Sequence, residues 1–129
     1  NAKIEIEKLY YEHSDYYLTN YAMGVIYIQE NNLDEALKYL EKATDINPAF
    51  SQAYFNKGIL YKERAELGLM ASELLMVMQL ENKDEKMYQD SKELIDIIEK
   101  NEKSMTIYEY IHSDKLFREA FEYIDKKDY

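Results

Sequence analysis

The chain has 129 residues, the size of one domain, and carries 26 acidic against 16 basic residues for a net charge of −10. With no cysteine, two histidines, three glycines and one proline, it excludes disulfides and thiolate chemistry and disfavours a turn-rich all-β fold. So acidic a surface repels phosphate, which argues against nucleic acid and anionic membrane as partners.

No apolar run approaches a membrane span and no signal peptide opens the sequence, so the expected location is the cytoplasm. The first residue is Asn1 rather than methionine, and a trimmed leading segment is expected. Residues 3–12 are predicted as a short leading helix, the remnant of an earlier repeat. Helices follow at 16–30 and 33–46. The second opens on Asn32-Leu33-Asp34-Glu35, a capping-box pattern in which Asn32 accepts an amide proton and Glu35 reaches back. Glu35 is also placed to pair with Lys38 one turn on. Pro48 is expected in the first turn of a helix over 49–64, where its missing N–H costs nothing.

Helix 67–81 is apolar almost all round, from Leu67, Leu69 and Met70 to Val77, Met78 and Leu80. Such a helix must be covered on every side. The C-terminal helices are expected to fold back on it; the alternative cover is a second copy of the chain, making a homodimer. Asn82-Lys83-Asp84-Glu85 repeats the capping pattern and is expected to start a helix to about Lys100, with Met87, Leu94, Ile95 and Ile98 on its apolar face.

The sequence also repeats itself at an interval of 34 residues. Gly24 falls on Gly58, Tyr27 on Tyr61 and Leu40 on Leu74, while Ala36, Ala43 and Ile46 answer to Met70, Val77 and Leu80. Met23 against Lys57 is the mismatch. Asn20-x2-Met23-Gly24-x2-Tyr27, then Ala36-x3-Leu40, Ala43 and Pro48, resembles the tetratricopeptide repeat, with Asn20 in place of its leading aromatic. A second, degenerate copy reads Tyr54-x2-Lys57-Gly58-x2-Tyr61, Met70-x3-Leu74 and Val77. The echo of 35–42 in 119–126 suggests an eroded third copy over 101–129. The resemblance implies an all-α fold, a right-handed stack of antiparallel helix hairpins with additional C-terminal helices. One domain, 1–129, would hold the leading helix, repeats at 17–50 and 51–84, and C-terminal helices over 85–129.

The same resemblance implies a protein-interaction module, a scaffold or adaptor that binds a peptide or partner helix in a concave groove. The groove positions of the first repeat are Leu18, Tyr21, Val25, Ile28 and Gln29. Those of the second are Gln52, Phe55, Ile59, Lys62 and Glu63. Self-coverage by Ile4, Ile6, Leu9 and Tyr10 is the competing reading of those apolar stripes. A clamp for a C-terminal carboxylate is not expected, because its first-repeat positions hold Tyr21 and Val25 and its third-repeat positions Glu102 and Thr106. The net charge of −10 makes the expected partner an apolar or basic protein or peptide.

Catalytic signals are weak, and no enzyme, metal or cofactor is expected. Glu109-x-x-His112 has the spacing of di-metal helical bundles, but such a site needs a second copy of the motif, and Tyr10 stands three residues before His13. No Gly-x-Ser-x-Gly frames a serine, and Asp84 to Asp90 lacks the glycine of a calcium loop.

Overall fold

A computed structural model describes residues 1–102 and 105–127, and these form helices joined by short turns, with no strand among them. They are α1 (Ala2–Glu12), α2 (Tyr17–Gln29), α3 (Leu33–Ile46), α4 (Ser51–Glu63), α5 (Leu67–Leu80), α6 (Lys86–Asn101) and α7 (Ile107–Lys127). The closest pairings are α2 with α3 and α4 with α5, the two hairpins of the expected repeats.

Both hairpins turn by the same device. The amide of Asn32 donates to Tyr27 O and that of Glu66 to Tyr61 O, each at 2.9 Å, closing a Schellman-type end. The residue before each adopts the left-handed region, with φ 58° at Asn31 and φ 57° at Ala65. Asn tolerates that conformation, whereas Ala65 is held in it against its own Cβ. Within each hairpin a glycine lets the helices close. A Cβ on Gly24 would stand 2.9 Å from Leu40, and one on Gly58 would stand 2.7 Å from Leu74.

Asn20, where the repeat pattern wants an aromatic, is fully buried, and its amide donates to Ser14 O at 3.0 Å and Tyr16 O at 2.8 Å. It ties the α1–α2 turn to the first turn of α2. Asn32 caps α3 by accepting from the Glu35 amide at 3.4 Å, but Glu35 turns to Lys38 at 3.2 Å, so only half the capping box forms. Pro48 lies in the turn before α4, not in the helix: Asn47 Oδ1 accepts from the Ala49 amide at 3.2 Å and folds that turn locally. Likewise Asn82–Glu85 is a turn closed by Glu85 N–H to Asn82 O, and α6 starts one residue beyond it.

Two cores result. Ala36, Leu40 and Ala43 of α3 meet Ala53 and Leu60 of α4 in the first, which joins the hairpins. In the second, Met70, Ala71 and Leu74 of α5 meet Ile95 and Ile98 of α6 and Ile107 of α7. The C-terminal helices thus cover α5, as its composition requires.

The third repeat expected over 101–129 falls partly outside the described residues. Where described, 107–127 is one helix rather than a hairpin. It is α6 that packs on α5 as α4 packs on α3, in the place of a next first helix. α7 lies mainly against α5 and touches α6 little, crossing so close that a Cβ on Gly68 would collide with the Asp114 side chain.

Candidate functional site

The ten predicted groove residues all lie on α2 and α4, because both helices carry the same pattern in the same register. Leu18 is 41% exposed, and Gln29, Gln52, Lys62 and Glu63 are exposed as well. Val25 and Ile59 are half-buried and lie one repeat apart. These seven side chains leave their helices accessible along one stretch of each.

The other three are drawn into the fold. The Tyr21 ring packs edge-on against Phe50 with centroids 4.9 Å apart, and its hydroxyl accepts from Asn56 Nδ2 at 2.9 Å. That bond is a direct polar link from α2 to α4. Ile28 packs on the first core and Phe55 on the second. Tyr21 and Phe55, the aromatic contacts expected of the groove, are therefore half-buried supports of it.

The positions divide further between two cavities. Tyr21, Val25 and Gln29 line a cleft of about 490 Å³ between α1 and α2. Lys62 borders a smaller, mostly apolar cavity of about 230 Å³ with Met70, Leu94, Ile98 and Tyr110. Of the residues considered for self-coverage, Ile6 lines the first cleft, while Tyr10 turns away to stack edge-on against Tyr39. Ile4 and Leu9 remain exposed. α1 flanks the α2 side of the face without closing over α4.

The mismatch at Lys57 proves to be the main buried charge of the structure. Its side chain is 3% exposed, and its ammonium lies 3.0 Å from Glu41 and 3.2 Å from Glu73, with Thr44 Oγ1 at 3.1 Å and the Tyr54 ring beneath it. Burial opposes the charge on Lys57, yet the Glu73 and Glu41 carboxylates outweigh it and hold its pKa above the ordinary lysine value. Burial pushes Glu73 above the usual carboxylate range, and Lys57 pulls it back only in part. The signal was present in the sequence as a pair: Lys57 and Glu73 stand one repeat after Met23 and Tyr39, so an uncharged residue becomes charged at both positions, with opposite signs.

Glu109 of the Glu-x-x-His pattern serves the backbone. Thr106 Oγ1 accepts from the Glu109 amide at 3.2 Å and donates to the Glu109 carboxylate at 3.1 Å, a capping box that starts α7. His112 is exposed.

Residues 17–50, which span α2, α3 and the turn to α4, match the family model described as the tetratricopeptide repeat. No curated protein matches the chain.

Proposed function

We propose that the chain is a protein-interaction module that takes an extended or helical segment of a partner along the face shared by α2 and α4. Repeats of this kind generally bind proteins or peptides, and fold-level resemblance carries that step. The observation that supports this location is the run of accessible side chains on two helices in register: Leu18, Val25 and Gln29, then Gln52, Ile59 and Lys62. Apolar surface at Leu18, Val25 and Ile59 gives contact area, and the amides of Gln29 and Gln52 can pair with a partner's backbone. The net charge of −10 selects an apolar or basic segment and makes association weaken with salt.

Tyr21 and Phe55 are unsuited as test sites, since a charge at either would strike the cores they support. Leu18→Glu and Ile59→Glu are better placed, with circular dichroism to verify folding. A display library of random peptides panned against the wild type should yield apolar-basic sequences that bind both variants far more weakly. Sequences retained equally by wild type and variants would move the site elsewhere, and an empty selection would argue for a structural role.

A further inference from the structure

Carried one repeat past the second hairpin, the interlocked pair Gly58 and Leu74 falls on Lys92 and Tyr108. Lys92 is exposed and bonds Asp96 at 2.8 Å, and Tyr108 is 67% exposed. With no glycine there to admit a leucine, α6 and α7 do not close on each other as α4 and α5 do, and α7 crosses α5 instead. The cavity of about 230 Å³ lies between these helices. Leu67 and Met70 of α5, Leu94, Ile97 and Ile98 of α6 and Tyr110 of α7 give it mostly apolar walls. An apolar void of about 150 Å³ already holds benzene, so this one has room for a ring with a short tail.

Its polar groups are few and gather at one end. Asn101 and Glu102 border it where α6 stops, and the negative end of that helix dipole favours a cation. Glu102 has no ion-pair partner among the described residues. Lys100, the basic residue of the last turn of α6, borders a separate hollow with Gln89 and Asp96. The Tyr110 hydroxyl stays protonated, its pKa raised first by burial and then by Asp114 and Glu102, so it is a neutral hydrogen-bonding group. Asp114 itself is held by Arg118 at 3.0 Å. The one opposing charge is Lys62 of α4, an exposed residue whose stem can border the cavity while its ammonium extends into solvent.

We infer that this cavity binds a small organic ammonium ion with an aromatic or branched apolar body. The body lies between α5 and α6, and the ammonium meets the Glu102 carboxylate and the Tyr110 hydroxyl. Apolar walls supply contact area, and the few polar groups at one end set the orientation. A carboxylate in the same pose would meet Glu102 and the negative end of α6, with nothing to replace its lost hydration. The site shares Lys62 with the α2–α4 face, but no described residue of α2 lines it, and it does not require that face to bind anything.

Three probes of one shape test this: phenethylamine, the neutral phenethyl alcohol and the anionic hydrocinnamate. Each is titrated into full chain labelled at its methyl groups and followed by methyl chemical shifts. Phenethylamine should give saturable shifts at Met70, Leu94, Ile97 and Ile98. The alcohol should bind about fivefold more weakly and hydrocinnamate more weakly still. Glu102→Gln, a change at an exposed residue, should bring the amine down to the level of the alcohol. That loss separates a local contact from the attraction of any cation to so acidic a chain. Lys62→Gln should leave amine binding equal or stronger. Equal binding of the three probes, a preference for hydrocinnamate, or an amine preference that survives Glu102→Gln would each overturn the inference. So would shifts confined to other helices, or no saturable shift with any probe.

Discussion

Lys57 takes in the second repeat the buried position that Met23 holds in the first, and Glu73 takes the position of Tyr39. Two uncharged positions of the first repeat hold an ion pair in the second without a change of backbone register. A buried pair is weak evidence of net stability, but removing one partner leaves the other charged and undersolvated. Lys57→Met should therefore cost about 3–5 kcal/mol at neutral pH in chemical denaturation, because Glu73 stays behind unpaired. The sign of the pH dependence follows from the raised Glu73 pKa. A buried carboxyl favours its neutral form, and loss of Lys57 raises the Glu73 pKa further, so the variant regains stability as pH falls through that higher pKa. In the wild type, the contribution of Lys57 is fully present below the ordinary lysine pKa and is lost as pH rises through the raised one. Lys57→Met with Glu73→Tyr puts the first repeat's residues at both positions and should recover stability relative to the single variant; no recovery would mean that the unpaired Glu73 charge is not the source of the loss.

Helices and turns were legible in the sequence to the extent that their causes are local. Periodicity placed α2 to α5 within two residues at each end, because apolar spacing and the repeated glycine act on one helix at a time. The start of α6 was misplaced because Asn82 to Glu85 satisfies a capping pattern that here closes a turn. Thr106-x-x-Glu109, the box that does cap α7, was read instead for its glutamate and histidine. What no local pattern carries is the crossing of α7 over α5, fixed by the contact of Asp114 with Gly68. Interlock within a hairpin is the clearest element-scale test. Gly58→Ala improves helix propensity by about 1 kcal/mol, yet its Cβ would stand 2.7 Å from fully buried Leu74. Overpacking should win, with a net loss of about 1–2 kcal/mol read as a lower Tm; an unchanged or raised Tm would show that Leu74 yields freely.

At the scale of the molecule, two hairpins in register present the accessible parts of α2 and α4 side by side, while α6 and α7 cover the apolar α5. The face was readable as a set of positions, since register assigns Leu18, Val25, Gln52, Ile59 and Lys62 together. Its division into supports and contacts was not, because that depends on Phe50 reaching Tyr21 across a turn and on Asn56 bonding the Tyr21 hydroxyl. The cleft beside α1 depends on a helix packing that no single stripe specifies. The central claim is that the α2–α4 face binds a partner segment. It is tested most directly by an amide chemical-shift titration of the full chain with a peptide selected against it. Saturable shifts at Leu18, Val25, Gln52, Ile59 and Lys62, weakening as salt is added, are the expected result. Shifts confined to α6 and α7, or none at saturating peptide, would contradict it.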